Sequence, residues 1–348
     1  MILKQFGGRV TKQHTAQYQQ SENWKNGQFH NLEVVSLTPS LWKIPQILYK
    51  QLRNMKGREP KQPLPVIPFD KTAFEAPSDK AKMIWYGHSV VFLRMNETNI
   101  LIDPMLGPDT TPIAPIPTNR FSKNTLNLID DFPTIDLVLL THDHYDHLDY
   151  ASIQKLKSKT KQFVVSLGVK RHLVSWGVDA NLIQEVDWWN TFNINGITIT
   201  FTPTQHFSGR GLTDRQKTMW GGWALNNGIE NIWFSGDGGY NTHFKIIGER
   251  LEPFDFAFME CGQYNEDWHD VHLFPDESVQ AAIDANVKKA MPVHWGGFPL
   301  SYQHTWKEPV EDFIKAAKQL QMNYTTPSLG KIFTVDSVEQ ETWWRDFE

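Results

Sequence analysis

The sequence predicts an α/β protein of stacked mixed sheets with helices on the outside. Three observations point there. A stretch of short β-branched and aromatic runs is followed by an alternation of strand and helix patterns. One run, "IDLVLLT" (135–141), is continuously apolar at strand length, as a strand buried on both faces must be. The first 81 residues differ in texture from all that follows. They read as an extension (1–81) packing on a core domain that fills 82–348.

The extension begins polar, becomes partly apolar in "VVSLTPSLWKIPQILYKQL" (34–52), and ends rich in proline and basic residues. The middle piece suggests a short amphipathic helix broken at Pro45, packed on the main domain in preference to a dimer contact or a membrane surface. From residue 82, "KMIWY", "SVVFLRM" and "TNILIDP" are strand runs separated by Gly87-His88 and Asn96-Glu97, a meander. After "IDLVLLT" residues 150–160 look helical, and "QFVVSL", "GITITFTPT", "GGWALN" and "NIWFSG" supply further strands. The last third alternates: "DFAFME" and "KAMPVHW" as strands, "PDESVQAAIDANV" and "EPVEDFIKAAKQLQM" as helices. Their inward faces are Val279, Ala282, Ile283 and Val287 in the first, and Val310, Phe313, Ile314, Ala317 and Leu320 in the second. No internal repeat is visible in the motifs.

Composition narrows the function classes. Hydrophobic content of 40% and charged content of 21% suit a soluble globular chain. A net charge of −5 argues against a general nucleic-acid binder. The single cysteine, Cys261, excludes an intrachain disulfide and a Cys-ligated zinc finger. The N-terminus lacks a sustained apolar run, and no stretch reaches the ~18 apolar residues of a membrane span. The cytoplasm is the expected location. The aromatic content of 13% fits a Trp-rich core or an apolar binding surface equally.

The chemistry concentrates in "THDHYDHLD" (141–149), three histidines and three aspartates directly after the buried strand, where α/β active sites gather. His142 and His144 alternate, and Asp146 and His147 follow. Imidazoles at i and i+2 can converge on a metal from a strand end, unlike the i, i+4 pair of a helical zinc site. Three histidines and an aspartate exceed what one ion takes from so short a segment, so two neighbouring ions would use them better. His206, Asp237 and His294 each follow an apolar strand, the same context, and are the candidates for the remaining ligands.

These residues, in this order, resemble the metallo-β-lactamase superfamily, and more narrowly the N-acyl-phosphatidylethanolamine-hydrolysing phospholipase D-like group. "IWYGHSVVFLRMNETNILIDPML", "FPTIDLVLLTHDHYDHLD", "DWWN", "FTPTQHFSGRGLTDRQKTMWGGWAL", "FSGDGGY", "IGERLEPFDFAF" and "MPVHWGGFPL" carry the resemblance over roughly residues 80–335. It implies an αββα four-layer sandwich with two metal ions at one edge. His142, His144 and His206 would hold one ion, and Asp146, His147 and His294 the other. Asp237 would bridge them together with a hydroxide that attacks the substrate. Zinc suits the imidazole-rich set, with manganese or iron as alternatives. The implied reaction is phosphodiester hydrolysis on a phospholipid such as N-acyl-phosphatidylethanolamine, with lactone or other ester and amide hydrolysis as the alternative on the same scaffold.

The resemblance also assigns supporting roles. Asp146 would manage protons besides binding metal, and His272 would hydrogen-bond the reacting group, although His269 lies close enough in sequence to be confused with it. His88, Arg210 and Tyr145 are placed around the ligands or against the substrate. Arg210, Arg215 and Lys217 form a basic stretch able to meet an anion or to face solvent. A lipid substrate leaves room for peripheral membrane contact, and the family makes a homodimer an expectation. A redox protein on this scaffold usually reads H-x-E-x-D where His144 stands here, and a nuclease would add a nucleic-acid-binding insertion. A purely metal-holding protein is the least favoured reading.

Overall fold

A computed structural model describes residues 4–35, 44–53, 56–111, 118–211, 213–251, 253–338 and 340–347. Residues 36–43 of the expected N-terminal helix lie outside these. The remainder forms a helix over Ile44–Arg53. Pro45 opens this helix rather than breaking it, because the first turn has no intrahelical use for the missing N–H.

Within the extension, β1 (Trp24–Lys25) and β2 (Gln28–Phe29) form a hairpin. A first large sheet takes β3 (Lys82–Trp85), β4 (Val91–Met95), β5 (Thr98–Ile102), β6 (Ile135–Leu140), β7 (Thr160–Ser166) and β8 (Ile183–Val186). The second takes β9 (Thr191–Ile194), β10 (Ile197–Thr202), β11 (Gly222–Asn226), β12 (Asn231–Phe234), β13 (Phe256–Glu260), β14 (Lys289–Val293) and β15 (Asn323–Tyr324). Then β16 (Ile332–Phe333) returns to the edge of the first sheet beside β3.

Both sheets are built alike. From β16 through β3 and β4 to β5 the pairing is antiparallel, and from β5 through β6 and β7 to β8 it is parallel. The second sheet repeats this, antiparallel from β9 to β12 and parallel from β12 to β15. The repetition is invisible in the sequence because backbone pairing, not side-chain identity, carries it. The short strands β8, β9, β15 and β16 leave no clear mark in the sequence either. At two to four residues they offer too little alternation to stand out.

Alternation along the strands explains the layers. In β6, Leu137 and Leu139 enter the core shared by both sheets, whereas Val138 and Leu140 join Phe92, Leu101 and Phe163 under the helices of the first sheet's outer face. Every residue of β6 but Asp136 is fully buried. Asp136 accepts from Asn99 N at 2.9 Å and Lys161 Nζ at 2.7 Å near the strand's start. On the second sheet the helices Pro275–Asp284 and Glu308–Gln319 pack Val279, Val310, Phe313 and Ala317 against its outer face, in the same continuous apolar cluster. Two residues expected inside are not. Ile283 and Leu320 are 37% and 43% exposed, because the helical turn carries them to the flank of the buried stripe.

This architecture is the αββα sandwich. Its consequence for function is positional: the carboxyl ends of the parallel strands of both sheets open toward one edge. Asp103 and the 142–147 cluster follow β5 and β6; Asp237 follows β12; Glu260 ends β13; His294 follows β14.

Candidate metal centre

The cluster after β6 is brought against three histidine and aspartate side chains from the second sheet. His144 Nδ1 lies 2.9 Å from His142 Nε2 and 3.1 Å from His206 Nε2. Beside this trio, Asp146 Oδ2 lies 3.4 Å from His294 Nε2 and 3.7 Å from His147 Nε2, and the two imidazoles are 3.4 Å apart. Asp237 Oδ2 stands between the groups. It is 2.9 Å from His147 Nε2 and 3.0 Å from His294 Nε2, and 4.0 Å from both His142 Nε2 and His206 Nε2.

The tautomers follow from the outer partners. His206 Nδ1–H donates to Val271 O at 3.0 Å, and His294 Nδ1–H donates to Gly262 O at 3.1 Å. His147 Nδ1–H donates to Asp103 at 2.7 Å. The Thr141 hydroxyl gives its proton to Asp103 at 2.6 Å and so accepts from His142 Nδ1–H at 2.9 Å. Four imidazoles are thereby left with Nε2 lone pairs aimed inward, the form that binds metal. Such converging lone pairs repel one another unless a cation lies among them. Tetrahedral zinc, with nitrogen ligands at ~2.0–2.1 Å, spaces them ~3.3 Å apart, close to the distances found here. The donor set fits two divalent ions.

Electrostatics agree. Burial, reinforced by neighbouring imidazoles, pushes His142 and His206 well below the ordinary histidine range and keeps them neutral. Burial alone would raise Asp237, but His147 and His294 beside it hold its carboxyl well below the usual range. For His147, burial opposes the charged form, yet Asp237, Asp146 and Asp103 outweigh it and raise it well above the ordinary value. A proton on His147 Nε2 beside Asp237 thus supplies the positive charge that an ion would bring, and metal binding there would release it.

Around this set the expected supporting residues sort clearly. His88 Nε2–H donates to Asp146 Oδ2 at 2.9 Å, and burial lowers its pKa to about 3, so it stays neutral. His272, not His269, faces the cluster. Its ring lies 5.1 Å from that of His206 and 5.3 Å from that of His294, and its Nδ1 bonds to Glu260. His269 instead bonds to Glu277 at 2.7 Å, 48% exposed. Asp149 caps the helix Tyr150–Leu156 through Ala151 N and Ser152 N.

Arg210 corrects an expectation. It is 3% exposed, with its guanidinium donating to Asp143 O at 2.6 Å, Leu148 O at 2.8 Å and Gln5 O at 2.8 Å, and lying over the Tyr145 and Trp176 rings. It meets neither an anion nor solvent; it ties down the backbone that carries the histidines. Tyr145 also turns from the cluster, its hydroxyl donating to Arg210 O at 2.7 Å. Lys217 bonds to Gly27 O, and Arg215 lies over Phe207. Arg210→Ala is expected to lower unfolding stability by on the order of 2–4 kcal/mol, since buried carbonyls lose their donors. Denaturant unfolding checks it; a raised KM at native stability would instead make Arg210 an anion binder.

Two acids of the site went unrecognised in the sequence. Asp103 is fully buried, accepts from Thr141 N at 2.8 Å, and fixes both Thr141 and His147. Glu260, 1% exposed, accepts from Gly238 N at 2.9 Å and holds His272. The available signal was their placement after apolar strands, the context that marked Asp237. Asp103, His88 and His294 all adopt positive φ, at 42°, 54° and 67°. Such backbone strain in non-glycine residues gathers at functional sites. A cavity of about 500 Å³ on the second sheet, lined by Thr198, Asn226 and Arg250, shares no residue with this cluster.

The family described as Beta-lactamase superfamily domain matches residues 98–295. The chain is 30% identical over 265 residues to a Caenorhabditis elegans protein named N-acyl-phosphatidylethanolamine-hydrolyzing phospholipase D 1, covering 72% of this chain and 74% of that one. It is 32% identical over 333 residues to a Mycobacterium tuberculosis protein of undescribed activity, covering 94% and 88%. Among solved structures, Igni18, a metallo hydrolase from Ignicoccus hospitalis, superposes with a TM-score of 0.57 at 21% identity, over 73% of this chain and 98% of that one.

Proposed function

The chain belongs to the metallo-β-lactamase superfamily, and on that premise we propose that it is a dinuclear metal-dependent phosphodiesterase acting on a phospholipid such as N-acyl-phosphatidylethanolamine. The observation that carries the reading is Asp237 Oδ2, one carboxylate oxygen within 4.0 Å of imidazole nitrogens from both ligand groups. His142, His144 and His206 would hold one ion and Asp146, His147 and His294 the other, with Asp237 within reach of both. The ions, when bound, lower the pKa of water enough to furnish a nucleophile near neutral pH and offset charge on the phosphoryl oxygens. Zinc suits this nitrogen-rich set.

The protein's own groups then orient and move protons. Asp103 and His88 fix His147 and Asp146 in place. Asp146, the more exposed of the ligand carboxylates at 14%, is placed to pass a proton between the site and solvent. Glu260 takes the Nδ1–H of His272, which leaves Nε2 to accept a proton and return it to the departing alkoxide as the P–O bond breaks. A phospholipid substrate implies peripheral contact with a membrane. Among the described residues no helix is long and apolar enough to cross one.

The test is hydrolysis of bis-p-nitrophenyl phosphate and of N-acyl-phosphatidylethanolamine in mixed micelles by zinc-loaded protein, beside a lactone panel. Turnover is expected for the phosphodiesters, lost on chelation and regained with metal. His272→Gln should lower kcat by ~10²-fold or more at unchanged metal content, while His269→Gln leaves it intact. Lactone turnover without phosphodiester turnover would make the protein an ester hydrolase instead.

A further inference from the structure

The sheet–helix domain does not complete the candidate centre alone. Asn31, in the N-terminal extension, reaches the backbone of His206 with both ends of its amide. Its Nδ2 donates to His206 O at 2.9 Å, and His206 N donates to its Oδ1 at 3.0 Å. Trp220 Nε1 donates to the same Oδ1 at 2.9 Å. The amide thus pairs with His206 as a neighbouring strand would, though β10 ended at Thr202 and supplies no such partner.

The same extension braces the loop that follows His206. Phe29 N donates to Gln216 O at 2.9 Å, and the Phe29 side chain is fully buried. Residues 4–8 close the far side: Gln5 O accepts from Arg210, whose other bonds hold Asp143 O and Leu148 O behind His142 and His144. Gly8 O accepts from Arg171 Nε at 3.1 Å. Gly7, at φ 71°, packs where any side chain would strike the His172 ring, since a Cβ would fall 2.0 Å from its Nδ1. The extension therefore touches the supports of His142, His144 and His206, the three imidazoles of one ion site, and makes the direct bonds to His206 through Asn31.

We propose that Asn31 is a positioning residue for His206, by which the N-terminal extension sets the affinity of the ion site formed by His142, His144 and His206 while leaving the Asp146, His147 and His294 site unaffected. The inference rests on the two-ion reading above. Loss of the partners that orient a metal ligand typically costs ~10–100-fold in affinity, and Asn31, which holds the backbone of His206 and not its ring, is assigned the lower end, ~10-fold.

The experiment uses the full chain loaded with zinc, dialysed against a graded series of chelator and analysed for bound metal, with thermal unfolding of the metal-free forms alongside. Native protein should release two ions. In Asn31→Ala, one ion should leave at ~10-fold or more lower chelator concentration while the other leaves at the native midpoint, with metal-free unfolding close to native. Asn31→Asp keeps the acceptor to His206 N and Trp220 but turns the donor into an oxygen facing His206 O, so it should shift the same ion, and it serves as the second variant if the alanine form does not fold. Native release of both ions from both variants overturns the proposal. So does equal weakening of both ions together with a fall in metal-free stability, which would make Asn31 a general packing residue. Fewer than two ions on the native protein would sink the two-ion reading itself, and this inference with it.

Discussion

Asp237→Asn is expected to reduce phosphodiester turnover by at least ~10²–10³-fold, the effect of removing one preorganised charge-stabilising group in other enzymes. The substitution keeps the side-chain shape and removes its charge. Because Asp237 Oδ2 lies 2.9–3.0 Å from His147 and His294 and 4.0 Å from His142 and His206, the loss is felt at both ligand groups. Metal content should fall for both ions together, unlike the single loss predicted for Asn31→Ala. The measurement is kcat beside metal stoichiometry on the same sample. Native turnover with two ions retained would remove Asp237 from the centre.

Asp103→Ala is expected to be the most destabilising single change near the site, on the order of 3–5 kcal/mol. The carboxylate is fully buried and accepts three hydrogen bonds, from Thr141 N, Thr141 Oγ1 and His147 Nδ1. Truncation strands all three donors in a place water does not reach. The backbone adds to the loss, since Asp103 sits at φ 42°, a conformation that aspartate and asparagine tolerate better than alanine. Asp103→Asn should therefore retain more of the stability, yet still release His147 from its fixed tautomer. Equilibrium unfolding of both variants, metal-free, separates the two contributions. Equal stability of Ala and native forms would show that these bonds contribute nothing net.

What the sequence revealed, and what it hid, divides along the range of the interactions. His142, His144, Asp146 and His147 were legible because their spacing is local and costly without a ligand. His206, Asp237 and His294 were legible because each ends an apolar strand, so topology alone sends them to the same edge. Asp103 and Glu260 share that context but read as ordinary polar ends of strands, since nothing local tells an acid that holds a histidine from one that meets solvent. The role of Arg210 is hidden for the same reason: its partners Gln5 and Asp143 lie 205 and 67 residues away, and burial is not written in the local pattern. Asn31 is more distant still in kind, 175 residues from His206 and in a segment whose composition suggests only packing. The layer order was legible from alternation, whereas the repeated build of the two sheets was not.

That repeated build has a consequence for the life of the protein. Neither sheet owns the whole candidate set: on the proposed reading the loop after β6 would give His142 and His144 to one site and Asp146 and His147 to the other, while His206, Asp237 and His294 come from the opposite sheet. Ions held in this way would act as rivets across the seam between the two sheets. Their binding energy would add to the docking of one half on the other, ~2.7 kcal/mol for each ion present at a hundred times its dissociation constant. Resistance to unfolding would then be a property partly of the surroundings, rising and falling with the supply of metal as much as with any contact encoded in the chain.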